Sequence, residues 1–157
     1  MIWRALKLMK ETAMPVPDRP VLLTPAEIRD FLAEVFPQVN DDFVIEDIAP
    51  MTARVRLKVT DKHLRPGGTI SGPSMFLLAD CAFYIAVLAM IGRQALTVTT
   101  STSINFMRKP AQADLVCEAR ILKLGRTLAV GDATLLSPGV DGPVAHATLT
   151  YAIPPAR

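Results

Sequence analysis

The spacing of apolar residues changes several times along the chain, and each change marks an element. In "LTPAEIRDFLAEVF" the apolar side chains Ile28, Phe31, Leu32 and Val35 share one helical face. Thr24 is placed to cap that helix, Pro25 suits its first position, and Glu27 completes a capping box. Pro37 ends it. After "NDD" the period becomes two: Arg54, Arg56 and Lys58 alternate with Val55, Leu57 and Val59, as in a strand with one face on a core. Residues 43–48 are its expected hairpin partner, and the turn-rich loop "TDKHLRPGGTISGP" follows. Residues 74–92, "SMFLLADCAFYIAVLAMIG", are apolar at nearly every position, so a helix there has no wet side and must be enclosed. Beyond it, "ALTVTTSTSINFM", "DLVCEARILKL", "RTLAVGDATLL" and "PVAHATLTYAI" have β-type composition and are separated by turn signals such as "LGR" and "SPGVDG".

The expected order is therefore a helix, two strands, one long apolar helix and four strands. An antiparallel sheet of about six strands curled round that helix lets sheet and helix bury each other, an α+β architecture. Part of the helix still lacks cover, which predicts a homodimer or homotetramer. Residues 1–42 read as an N-terminal helical extension and residues 43–157 as the main domain. Within the extension, Ile2, Leu6 and Met9 share a face, with Arg4, Lys7 and Lys10 mostly elsewhere. That pattern predicts a short amphipathic helix docking on protein. No signal-peptide core is legible there.

Composition adjusts this picture only slightly. The chain has 157 residues, 50% hydrophobic and 20% charged, enough for one domain with a sizeable core. Seventeen Lys and Arg against fifteen Asp and Glu give a net charge of +2, too small and scattered for a nucleic-acid surface. Cys81 and Cys117 lie in apolar segments and read as buried thiols, which fits the cytoplasm. His63 and His146 are far apart and join no cluster with metal-ligand spacing, so no metal and no cofactor is expected. His63 reads as an exposed loop residue. The apolar helix contains Asp80, which a membrane-spanning segment tolerates poorly, so stable membrane insertion is not expected.

Asp80 is the one carboxylate in that helix. A buried carboxylate is normally paired, neutralised or placed at a reactive cavity. Ser71, Gly72 and Ser74 sit at the helix start, where amides lack intrahelical partners and the dipole favours negative charge. Pro73 has no N–H, leaving the amides of Gly72 and Ser74 as donors. Ser71 reads first as an N-cap.

The chain resembles the hotdog fold and, within it, the PaaI-like acyl-CoA thioesterases. The resemblance covers roughly residues 43–153 and is carried by "RPGGTISGPSMFLLADCAF", "INFMRKPA" and "EARILKLGRTLAV". The family's loop has Asn, two residues, Gly, two residues, His-Gly-Gly, then a helix with "LAD". Gly68, Gly72, Leu78, Ala79 and Asp80 keep that spacing, whereas Arg65, Ser71 and Pro73 stand in place of Asn, His and the second Gly. The resemblance implies hydrolysis of an acyl-CoA, with the Gly72 amide polarising the thioester carbonyl. It makes Asp80 the base or nucleophile, facing the partner subunit's pocket. Arg65 then either tunes Asp80 or holds it in a structural salt bridge. Ser71 completes the catalytic candidates, and Gly68, Ser74, Thr99 and Ser101 are candidates for substrate binding. Thr99, Ser101 and Ser103 are expected on one strand face beside the site, with Arg126, after Gly125, available for CoA phosphates. The rival reading is a non-catalytic hotdog protein that binds acyl thioesters or lipids. A hotdog hydratase ranks last, for want of its histidine.

Overall fold

The computed structural model describes residues 19–156, so the amphipathic helix expected before residue 11 lies outside the described residues. Helix α1 (Pro25–Val35) starts at the expected capping box: the Thr24 hydroxyl accepts the Glu27 amide, and the Glu27 carboxylate accepts the Thr24 amide at 2.8 Å. Ile28, Phe31 and Leu32 are buried, while Val35 at the helix end is partly exposed. A short helix, α2 (Pro37–Asn40), follows the break at Phe36.

The strands are β1 (Phe43–Ala49), β2 (Thr52–Leu57), β3 (Val98–Phe106), β4 (Leu115–Leu124), β5 (Leu128–Leu136) and β6 (Ala145–Ala152). They form one sheet in the order β1-β2-β4-β5-β6-β3, and every pairing is antiparallel. The alternation read in β2 holds, with Ala53, Val55 and Leu57 inside and charged residues outside. Arg54 and Arg56 bond across the wet face to Glu46, Glu118 and Asp114.

Helix α3 (Gly72–Ile91) lies across the sheet, mainly against β2, β4 and β5. It is long and apolar enough to cross a membrane, but 78% of its most apolar window is buried within the protein. The sheet supplies the enclosure that its composition demands. Its exposed side includes Phe76 near the N-terminal end. The first helix joins this same core: Ile28, Phe31 and Leu32 belong to the cluster built by α3 and the sheet.

The ends of the sheet differ from its centre. β3 pairs only with β6, so its other edge carries no strand among the described residues. Val98 and Phe106 on that strand, and Leu96 and Met107 beside it, are exposed apolar side chains.

Candidate functional site

Asp80 occupies the second turn beyond the start of α3 and is half-buried. Its Oδ1 accepts hydrogen bonds from the Thr99 hydroxyl and the Tyr151 phenol, each at 2.6 Å. Tyr151 also lies 2.8 Å from the Asp80 backbone carbonyl, so its single proton is shared between two oxygens of one residue. Oδ2 has no hydrogen bond among the described residues. The carboxylate is thus fastened on one oxygen and free on the other, beside a cleft of about 380 Å³.

Each partner reaches Asp80 for a local reason. Tyr151 is buried, its ring edge-on to Phe83 at 5.2 Å and stacked with Tyr84 at 6.3 Å. Burial, then the nearby charge of Asp80 and the hydrogen bond to it, push the Tyr151 phenol far above its ordinary range. It therefore keeps its proton and stays a donor. Thr99 is opposite Tyr151 in the β3–β6 pairing, which brings both hydroxyls to one carboxylate.

A bulge in β3 follows Thr99, between it and Ser101. This corrects the expectation that Thr99, Ser101 and Ser103 share a face. After the bulge, Thr102 and Ile104 are the half-buried positions, while Ser101 and Ser103 are exposed.

The start of α3 is built by the loop before it. Gly67 and Gly68 have φ of 94° and 75°, in the left-handed region that makes this turn a glycine site, and a Leu64–Ile70 bridge closes the loop. Gly68 also lies close to the Gln112 side chain. The Ser71 hydroxyl accepts the Ser74 amide at 3.2 Å, the ordinary work of an N-cap. That bond removes the Ser74 amide from the free donors, leaving Gly72, whose amide has no partner among the described residues. The Phe106 ring lies over Gly72.

His63 is not the exposed loop residue the sequence suggested. It is 3% exposed, its Nδ1 accepts the Thr60 amide at 3.0 Å, and its carbonyl accepts the Ser71 amide at 2.8 Å. Its backbone anchors the residue that caps α3. A short 3-10 turn at Asp61–His63 folds the side chain inward, which the polar "TDKH" run did not signal.

The remaining candidates are dispersed along the chain. No ion pair joins Arg65 to Asp80 within the described residues, whose Asp80 contacts are to hydroxyls. Arg65 contributes its backbone to the loop, its amide donating to Thr69 and its carbonyl accepting from Gly68. Arg126 is in the β4–β5 turn beside Ile91 and Gln94, at the opposite end of α3 from Gly72. Gly72 and Asp80 are themselves separated by about 12 Å along the helix, so one chain cannot bring both to a single carbonyl.

Several other chemistries lose their reagents. Burial pushes the Cys81 thiol in the cleft up to about 12, so it is not a thiolate at neutral pH. Cys117 is buried and free as well. Among the described residues no His, Cys, Asp and Glu group of three could hold a metal. A second cleft, on the outer face of the sheet, is lined by Arg54, Glu118, Arg120 and Asp132, which already have charged partners, and by Asp47. There Arg120 is 2.9 Å and His146 3.1 Å from Asp132. Burial pushes Asp132 up, but the bonds and charges of Arg120 and His146 leave it below the ordinary aspartate range. Of these two clefts, the one at Asp80 pairs a fastened carboxylate with an unengaged oxygen.

The thioesterase superfamily model matches residues 67–144, the stretch holding the glycine loop, α3 and strands β3 to β5. A solved structure of a candidate thioesterase from a Silicibacter species is 51% identical, with 88% of this chain and 97% of that one covered and a TM-score of 0.81. A mutant form of the phenylacetic acid degradation protein PaaI from Thermus thermophilus is 26% identical over 75% of this chain and 99% of that one, with a TM-score of 0.65. A Deinococcus radiodurans protein named as a candidate esterase is 40% identical over 86 residues, 54% of this chain; the match spans 56% of that relative's length. With a relative of 51% identity aligned along almost its whole length, and a six-stranded antiparallel sheet round one apolar helix, this chain belongs to the thioesterase superfamily and has its hotdog fold.

Proposed function

We propose that the protein hydrolyses an acyl-CoA thioester at a site shared by two copies of the chain. The observation that carries the proposal is the state of Asp80: Thr99 and Tyr151 hold Oδ1, and Oδ2 is left for chemistry beside a cleft lined by both apolar and polar side chains. Oδ2 acts as the base that takes a proton from an attacking water, or it adds directly to the carbonyl carbon. In either route the carbonyl oxygen gains negative charge, and the free Gly72 amide at the N-terminus of a second copy's α3 donates to it. Collapse of the adduct expels CoA as a thiolate. On the direct route, water then cleaves the resulting anhydride.

The spacing between Gly72 and Asp80 supports a site built from two chains, and the β3 edge, which carries no further strand among the described residues, supports with its exposed Val98 and Phe106 a homodimer, singly or as half of a tetramer. Arg126, distant from both groups on its own chain, is assigned to CoA phosphates within that assembly. Arg65 and Gly68 shape the loop under the thioester, and Ser71 serves by capping the helix. The buried, unpaired thiols of Cys81 and Cys117 support a reducing compartment such as the cytoplasm.

The test is thiol release from a panel of acyl-CoAs by the wild-type chain and by Asp80→Asn. Loss of a positioned acid-base group is expected to lower kcat at least about 100-fold with little change in thermal midpoint. Normal turnover by the variant would remove Asp80 from the mechanism. Acyl-CoA binding without any turnover would favour the non-catalytic hotdog reading, which the replacements at Arg65, Ser71 and Pro73 keep in view.

A further inference from the structure

The cleft beside Asp80 is not built from the family's core alone. Two of its lining side chains, Val35 and Phe36, come from the corner between α1 and α2, well before the matched residues 67–144. Asp80, Thr97 and Thr99 give the cleft its polar lining, while Val35, Phe36, Tyr84 and Val98 supply apolar lining.

This corner is held in place from several sides. The Leu22 amide donates to the Ala89 carbonyl at 2.7 Å, tying the entry of α1 to α3. The Arg93 guanidinium lies 5.8 Å from the centre of the Phe31 ring, and Ile28, Phe31 and Leu32 are buried in the common core. Phe36 itself donates its amide to Leu32 and then leaves the helical region, with φ −143° and ψ 56°. Pro37 enforces that departure because its ring disfavours helical geometry in the residue before it. The Phe36 side chain therefore stands at a fixed bend beside the carboxylate cleft.

We propose that Val35 and Phe36 form the wall of the acyl pocket and set the length of the acyl group accepted, a specificity role that rests on the thioesterase reading above. On one chain the cleft is open and measures about 380 Å³, and the second copy in the shared site proposed above closes it further. The buried rings of Tyr84 and Tyr151 limit extension in their direction. The substrate class is thus an acyl group whose apolar chain is bounded in length by this wall. An acyl chain that outgrows the pocket meets the Phe36 ring.

The experiment uses the full chain and straight-chain acyl-CoAs from butanoyl to palmitoyl, read by thiol release. Phe36→Ala is expected to move the optimum to longer chains, raising kcat/KM for the chains just beyond the wild-type optimum by about tenfold or more, the scale of one or two methylenes in an apolar pocket. Phe36→Trp is expected to shorten the optimum. Val35 is partly exposed, so Val35→Ala and Val35→Trp give the same comparison with less risk to folding, and thermal midpoints verify that each variant is folded. An unchanged length profile in folded Phe36 or Val35 variants overturns the proposal.

If the wild-type chain hydrolyses none of these straight-chain thioesters, the wall is read by calorimetric binding of butanoyl-CoA and decanoyl-CoA, and the thioesterase reading is judged by the wider panel above. A decanoyl-to-butanoyl affinity ratio that rises in Phe36→Ala supports the wall without catalysis. An unchanged ratio, or no binding of either thioester, overturns it.

Discussion

At the residue scale the site depends on the orientation of one carboxylate. In the proposed mechanism Tyr151 is a positioning residue: it is buried and fixed by Phe83 and Tyr84, and its hydroxyl touches both the backbone and the side chain of Asp80. Tyr151→Phe keeps the ring and removes that bond. The carboxylate then hangs from Thr99 alone, and kcat is expected to fall about tenfold or more, since small misplacements of reacting groups are costly, while KM changes little. Losing one buried hydrogen bond should cost about 1 kcal/mol of stability, measurable as a modest fall in thermal midpoint. An unchanged kcat with the expected stability loss would make Tyr151 purely structural. Asp80 was legible in the sequence because a lone carboxylate in an apolar helix needs a reason. Thr99 was legible through the family's strand. Tyr151 was not, since it is 71 positions from Asp80 and no local period relates residues across the sheet. His63 failed for the opposite cause: its neighbours are polar, but the turn directs its ring inward.

At the scale of elements, the packing of α3 against the sheet has one contact with almost no tolerance. Gly131 in β5 is directly opposite Ile121, next to the bulge in β4. A Cβ on Gly131 would stand 2.4 Å from the Phe83 ring of α3. The Arg120 carbonyl is closer still. One obstacle is backbone, so the clash cannot be relieved by a rotamer change. Gly131→Ala is expected to destabilise the fold by about 3 kcal/mol, the upper end of the usual cost of overpacking, as read by denaturant or thermal unfolding. A variant as stable as the parent would show that β4 and α3 move apart more readily than their packing suggests. Most elements were legible because their apolar periods are distinct: three to four in α1, two in β2, none in α3. The bulge after Thr99 was hidden, because residues 99–103 all carry hydroxyls and skipping one leaves the pattern unchanged. The short α2 was hidden behind Pro37, which was read as an end but also suits a first helical position.

At the scale of the whole molecule, the question is whether one chain contains a complete site. The helix that carries Gly72 at its first turn also carries Asp80 two turns later, about 12 Å further along its axis. A hydrogen bond spans roughly 3 Å, so an oxyanion held by Gly72 is beyond reach of the same chain's carboxylate. The proposed twofold association through the β3 edge would pair one chain's Gly72 with the Asp80 of a second copy and repeat the pair at a second site. This makes a complementation experiment decisive. Asp80→Asn removes the carboxylate, and Gly72→Pro removes the amide proton while the preceding Ser71, at φ −72° and ψ 151°, already has a geometry that accepts a following proline. Each variant alone is expected to be nearly inactive. Coexpressed at equal levels, they should pair at random, and half of the dimers would then be mixed, each with one intact site of two. About a quarter of wild-type activity should return in that case, as twofold symmetry with a shared site requires. A site confined to one chain predicts no recovery, because every chain in the mixture carries a lesion. Native mass spectrometry of the same mixture counts the mixed dimers, so absence of activity in their presence would reject the shared site without doubt about assembly.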